Sequence, residues 1–224
     1  MNLSVVVPVL NEAPELPRLL AQLSRLALQG IEIIVADGGS EDGTAGIIER
    51  AGFVVIGAAR GRARQMNAGA ALATREILWF LHADTHVPEE APKCIARALA
   101  QGDHVWGRFD VRISGRPYML RVISHLMNLR SRLTGIATGD QAMFITRHAF
   151  DEAGGFPDQP LMEDIEISKR LLTLSRPACI ARCVAPSGRR WEVNGVWRTI
   201  LLMWRLRWAY WRGVPVQQLA EAYR

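Results

Sequence analysis

Short, continuously apolar runs alternate with amphipathic stretches over the first 80 positions. Residues 3–10 (LSVVVPVL) are β-branched and nearly all apolar, the pattern of a strand buried on both faces. Residues 15–28 then carry Leu16, Leu19, Leu20, Leu23 and Leu26 at helical spacing. A second buried strand is predicted over 31–36, followed by the turn-forming Asp37-Gly38-Gly39-Ser40. A helix over 44–51, a short strand over 53–56, an Ala-rich helix over 62–74 and a strand over 77–81 complete the series. Strand and helix in alternation predict an α/β fold, with a mainly parallel sheet covered by helices on both faces. Beyond Gly107 the pattern is less regular. Helices are predicted over 118–129, 163–175 and 196–212, with a short strand over 142–146.

Composition changes this picture little. A chain of 224 residues, 49% hydrophobic and 22% charged, suits one globular domain with room for an appendage. The expected division is 1–191 for the α/β domain and 192–224 for a helical C-terminal segment within a single domain overall. Charge is more informative. From Arg176 to Arg224 nine Arg face two Glu, which leaves the rest of the chain slightly acidic against the total of +5. A basic end on an acidic body fits a local anionic partner, a phosphate or a lipid surface, and not a nucleic-acid coat. Cys94, Cys179 and Cys183 are odd in number and lack framework spacing, which points to a reducing compartment. The first apolar run ends at Asn11-Glu12 with no basic residue before it, so it reads as a strand and not a signal peptide. No run of about 20 uncharged apolar residues is present.

Chemistry gathers where the strands end. Glu12 follows the first strand, Asp37 the second and Asp84 the fourth. In open α/β sheets ligands bind beyond the C-terminal ends of the strands, so three acids there prepare a place for a metal or a ribose. No Gly-x-Gly-x-x-Gly follows the first strand and no Gly-Lys-Ser/Thr loop exists, which disfavours a nicotinamide site and a P-loop. A diphosphate would need another neutraliser, and a metal held by Asp84 is the candidate.

Six segments occur in a telling order: VVVPVLNE (5–12), ADGGSEDGT (36–44), GRARQMNAGA (61–70), FLHADT (80–85), EDIEISKR (163–170) and RRW (189–191). Together they resemble family 2 glycosyltransferases of the GT-A fold. GDQAMF (139–144) and GGFPDQPLMEDIE (154–166) are similar to a small bacterial subgroup known as selenodomain-associated or arsenosugar-biosynthesis transferases. The resemblance implies an inverting, non-processive, hexosyl-type transfer from a nucleoside-diphosphate donor (UDP or GDP), assisted by manganese or magnesium. It places Pro8 and Glu12 at the base and ribose pocket and Asp37 on the base. Arg62 and Asn67 fall along the donor nucleotide, and Asp84 on the metal. Glu163-Asp164 match the acidic pair that supplies the catalytic base, with Asp164 favoured; two acids stabilising a helix N-terminus is the plainer reading.

The sequence departs from the family pattern at two points. His82 stands where the first Asp of Asp-x-Asp is expected, and it either ligates the metal without adding charge, contacts the ribose, or simply caps a strand. Ser187 stands where the processive Gln-x-x-Arg-Trp motif has Gln, so polymer synthesis is not expected. Arg189, Arg190 and Trp191 are then candidates to grip a diphosphate and pack on the acceptor, or form an ordinary basic patch. Asp140 and Gln141 either line the acceptor pocket or are turn residues.

Five of seven tryptophans lie at Trp191, Trp197, Trp204, Trp208 and Trp211, the last four on one helical stripe flanked by Arg198, Arg205, Arg212 and Arg207. Such a stripe suits a helix lying in a membrane interface, or core packing with solvated arginines. The expected partners are a nucleotide sugar, a small-molecule or lipid-linked acceptor and a membrane surface. The expected place is the cytoplasm, at the inner face of the membrane. A nucleotidyltransferase and a non-catalytic nucleotide-sugar or membrane-binding module are the alternatives; the first lacks its Gly-rich basic loop, and the second would not need both Asp84 and Asp164.

Overall fold

The structure, a computed structural model, describes residues 2–223; Met1 and Arg224, the outer ends of the two expected segments, lie outside it. Seven strands form one sheet in the order β3-β2-β1-β4-β6-β5-β7. β1 (Leu3–Val9) runs parallel to β2 (Glu32–Asp37) on one side and β4 (Ile77–Phe80) on the other. β3 (Val54–Gly57) extends the parallel half. β6 (Phe144–Thr146) is antiparallel to both β4 and β5 (Trp106–Val111), while β7 (Ala178–Val184) returns parallel to β5.

Alternation along the strands divides the core in two. Val5, Val7, Val9, Ile33 and Val35 face α1 (Leu16–Leu28), α2 (Thr44–Arg50) and α4 (Ala91–Ala100). Val6, Ile34, Leu78 and Phe80 face α3 (Arg62–Leu72), α6 (Arg147–Glu152) and α7 (Glu163–Leu171). A strand with both faces covered has no polar side to show, which is why β1 reads as a continuous apolar run. α3 lies unusually close to the sheet: a Cβ on Gly69 would fall 2.3 Å from Val6 Cγ1. Only glycine permits this approach, which lays the later turns of α3 directly on the middle of β1.

The remaining helices lie over the far half of the molecule. α5 (Met119–Thr134), α8 (Arg189–Asn194) and the start of α9 (Val196–Trp211) share a small core of Ile113, Leu120 and Ile123 with Trp191, Val196 and Ile200. The inner side of α9 (Leu202, Met203, Leu206) packs on Met162 and Ile165 and on α10 (Val216–Tyr223). The tryptophan stripe is not part of that packing. Trp197, Trp204, Trp208 and Trp211 are each 60–79% exposed. No helix among the described residues is long and apolar enough to cross a membrane.

Candidate active site

The sheet changes direction at β1: β2 and β3 are laid down on one side, β4 on the other. Beyond such a point the carboxyl ends of the strands part and leave a crevice. β4 stops pairing at Phe80 opposite Val6, so Pro8, buried two residues on, sits where β1 has lost that neighbour. A residue without an N–H is tolerated there.

The loops after β1 and β2 are tied together. Glu12 N–H donates to Thr44 Oγ1 at 2.9 Å, Ala13 N–H to Asp42 at 2.9 Å, and Glu41 N–H to Asn11 Oδ1 at 2.8 Å. Gln65 Nε2, from α3, donates to Val9 O and Ala36 O, closing the ends of both strands. Asp37 accepts from Gly39 N–H and Ser40 N–H at 3.0 Å and from the Ser40 hydroxyl. It therefore shapes its own loop at the floor of the crevice.

Acidic groups converge from four segments. Burial raises the Glu12 carboxyl above its usual range, with Asp84 and Glu15 adding like charge and Arg189 and Arg62 pulling it back. Burial likewise raises Asp84, against the pull of His82 and Arg62 and with Asp140 opposing ionisation. His82 Nδ1 stands 3.5 Å from Asp140 Oδ1. Burial works to raise Asp140, but the His82 imidazole, Arg62 and Arg207 hold it below the ordinary value. The His82 ring is wedged against the chain: a Cβ on Gly139 would lie 2.5 Å from His82 Cε1.

Glu163 and Asp164 open α7, and their surroundings differ. Glu163 is buried, and desolvation together with the Asp164 charge pushes its carboxyl up to about 7. Asp164 is half-buried and accepts from Gly139 N–H at 2.9 Å and from Ile165 N–H at 2.8 Å. Arg62 answers this group. Crowding by surrounding groups would lower its pKa, yet Glu163, Asp140 and Asp164 raise it, while the residue keeps an exposed surface.

Among the described residues, three that are not glycine adopt left-handed backbone: Asn11 (φ 55°), Ala142 (φ 48°) and Met162 (φ 65°). Each adjoins a site segment: Glu12, the 139–141 turn and Glu163. Left-handed conformations cost free energy in L-residues and cluster at working sites.

Several expected site residues are placed otherwise. Gln141 is fully buried; it accepts from Thr138 N–H at 3.1 Å and points toward Phe109 O, so it builds the turn and does not reach an acceptor. Asn67 clamps Phe156, donating to its carbonyl at 2.8 Å and accepting its N–H at 2.9 Å. Arg190 lies over the Tyr223 ring at 3.7 Å and donates to Tyr223 O, and Trp191 packs beside α5. Both hold the C-terminal helices. Arg189 alone of that trio reaches the crevice electrostatically, through Glu12. Two arginines not anticipated there, Arg130 from α5 and Arg207 from α9, act on Asp164.

The donors suit a divalent ion of the magnesium type. No group of three His, Cys, Asp or Glu among the described residues is gathered closely enough to cage a metal. His82 stands beside Asp140, and Asp84 feels the charge of both; so sparse a set fits only an ion that takes most of its ligands from a diphosphate and water. Half-open cavities of about 350 and 770 Å³ lie elsewhere, by the start of α5 and at the opposite end of β1 and β4.

An acid-lined crevice at a topological switch point, with an arginine to balance charge, is where an open α/β sheet offers a ligand site. The family model "Glycosyl transferase family 2" matches residues 4–155, and the chain belongs to that family and is a glycosyltransferase. It is 32% identical over 150 residues to undecaprenyl-phosphate 4-deoxy-4-formamido-L-arabinose transferase of Pseudomonas aeruginosa, covering 61% of this chain and 44% of that protein. The Klebsiella pneumoniae protein of the same name is 32% identical over 168 residues, 67% of this chain and 50% of the relative. The chain thus spans about half the length of the curated relatives it matches. Among solved structures, Staphylococcus aureus TarS 1-349 with UDP-GlcNAc superposes with a TM-score of 0.66 at 18% identity, over 84% of this chain and 58% of that one. Mannosyltransferase PcManGT from Pyrobaculum calidifontis, with GDP-Man and Mn2+, gives 0.63 at 22% identity over 93% and 61%. The fold is GT-A.

Proposed function

We propose that this chain is an inverting, non-processive glycosyltransferase that moves a sugar from UDP or GDP to an acceptor with the help of a divalent metal. The observation that carries the reading is the convergence of Glu12, Asp84, Asp140, Glu163 and Asp164 with Arg62 at the β1–β4 crevice. Relatives of the same fold were crystallised with UDP-GlcNAc or with GDP-Man and Mn2+. Pro8, Glu12 and the Asp37 loop form the floor on which the base and ribose would lie. Arg62 and Arg189 are placed to receive the diphosphate. Asp84, with His82 and Asp140, would hold the metal, which neutralises charge on the departing diphosphate.

Asp164 is the candidate base. It takes the proton from the acceptor hydroxyl as that oxygen attacks the anomeric carbon from the face opposite the leaving group. Two backbone N–H donors fix its carboxylate, and the strained Met162 sets the start of its helix. A positioned base contributes about 10²–10⁴-fold. Ser187, in place of glutamine, supports single transfers over polymer synthesis. The 139–144 and 154–166 segments support kinship with the selenodomain-associated subgroup.

Residues 1–191 would form the catalytic unit and 192–224 the segment that docks it on the cytoplasmic membrane face, toward a lipid-linked acceptor. The curated relatives are undecaprenyl-phosphate transferases by name, which favours that kind of acceptor.

A thermal-shift screen against UDP and GDP, with and without Mn2+, tests the donor site. One nucleotide is expected to stabilise the chain only with metal, by about 2.7 kcal/mol at a hundredfold excess over Kd. Asp84→Ala is expected to abolish the metal requirement along with the shift. Equal shifts with and without metal would overturn the metal role, and no shift with any nucleotide would overturn the transferase reading.

A further inference from the structure

Two cations in the crevice have no task in holding the donor. Arg130 projects from α5 and Arg207 from α9, and neither makes an ion pair within 4 Å among the described residues. Arg130 Nε and Nη2 are buried without a hydrogen-bond partner. Neighbouring cations are treated differently. Arg108, fully buried, is paired with Asp110, which Arg132 also contacts at 2.6 Å. Burial and the charge of Arg207 pull the Arg130 guanidinium down to about 10, with only Asp164 opposing. Asp164 has spent an oxygen on each of two backbone N–H groups.

Two guanidinium groups that feel each other's charge and that of Asp164, without an ion pair of their own, are costly unless an anion joins them. A phosphate suits them, because each guanidinium can present two parallel donors to its oxygens. The pair also lies at a particular place. Arg207 lies on α9 less than a quarter-turn from the tryptophan stripe, so it adjoins that exposed apolar surface.

We propose that Arg130 and Arg207 form an acceptor subsite that binds a phosphate monoester carried by the acceptor. The assignment rests on the transferase reading, since it is Asp164 that makes this end of the crevice the acceptor side. A lipid monophosphate, whose own phosphate oxygen would be the attacking atom, and a soluble sugar-alcohol phosphate, whose hydroxyl would attack and pass its proton to Asp164, share the required group.

The test measures binding by thermal shift to the full chain with Mn2+ and UDP or GDP present. The probes are farnesyl phosphate with farnesol, and glycerol 3-phosphate with glycerol. At least one phosphorylated probe is expected to stabilise the protein where its neutral partner does not. Arg130→Gln and Arg207→Gln should each weaken that binding at least tenfold, and Arg207→Lys should recover part of it. Arg198→Gln, an exposed arginine on the same helix, should match the parent. Response to farnesyl phosphate alone marks a lipid source; response to glycerol 3-phosphate marks recognition of phosphate without a tail. Equal action of phosphorylated and neutral probes, no action by either phosphate, or full binding in the double Gln variant would overturn the subsite. The nucleotide shift is read separately. Its absence beside an intact, arginine-dependent phosphate response would sink the transferase reading while leaving an anion site.

Discussion

Glu163 carries the largest electrostatic liability in the crevice. Its carboxyl is 6% exposed and titrates near 7, against 4.5 in an open chain, because burial and Asp164 disfavour its charge. The folded protein therefore holds this proton more tightly than the unfolded chain. The Glu163 contribution to stability is greatest below about pH 4.5, falls as pH rises toward 7, and is lowest above that, by up to about 3 kcal/mol. Glu163→Gln keeps the shape and removes the titration. Its melting temperature should vary less than the parent's between pH 4.5 and 7 and exceed it at pH 8; parallel curves would contradict the burial argument. The identity of such residues was legible in the sequence as acids following strands. Their division of labour was not, because it depends on contacts across the chain. Asp164 and Glu163 are neighbours, yet one faces Gly139 N–H and the other is enclosed. Gln141, Asn67 and Trp191 looked equally available, and the structure spends each on the scaffold.

At the scale of elements, the 139–141 turn links the metal candidates to the base. Its first residue donates to Asp164 and lies against the His82 ring, where an added Cβ would come within 2.6 Å of Nε2. Gly139→Ala must displace either the buried imidazole or the turn, at a cost of about 1–3 kcal/mol. His82→Ala in the same chain removes the obstacle. The double variant should then lose less than the sum of the single losses, read from denaturant midpoints. Strict additivity would mean that ring and turn are not in working contact. The elements nearest this turn were also the hardest to anticipate. β1, β2 and β4 announce themselves because two covered faces demand continuous apolar residues. β5 contains Arg108 and Asp110, and β7 contains Arg182; a buried ion pair within a strand erases the apolar pattern that marks it. The antiparallel β6, three residues long, matches the short strand expected over 142–146, but so short a run says nothing of its direction.

Across the whole molecule, ten of the fourteen large exposed apolar side chains among the described residues fall at two helices: Trp197, Leu201, Trp204, Trp208 and Trp211 on α9, and Val122, Leu126, Leu129 and Leu133 on α5 with Tyr118 just before it. The early turns of α5 share a core with the start of α9, and Arg130 feels the charge of Arg207 further along. Helices running in the same direction would carry both stripes to one face. The four indoles alone present on the order of 500 Å², as large as the biggest apolar patch on an ordinary monomer. Arginines rim it: Arg212 lies 5.2 Å from the Trp208 ring centre and Arg121 5.6 Å from that of Tyr118. Aromatic residues edged with guanidinium groups match an anionic bilayer interface, with rings at headgroup depth and charges on lipid phosphates. The sequence displayed the α9 stripe but not its partner, because the pairing of helices some seventy residues apart is a tertiary fact. The protein should float with liposomes containing phosphatidylglycerol, and less with phosphatidylcholine alone or at high salt. Trp204→Ser with Trp208→Ser should reduce flotation at least tenfold, and Leu126→Ser with Leu133→Ser should reduce it too, because both stripes form one surface. Loss from the α9 substitutions alone would confine the contact to that helix. No flotation under any lipid condition would remove the membrane from the account and leave the face to a protein partner.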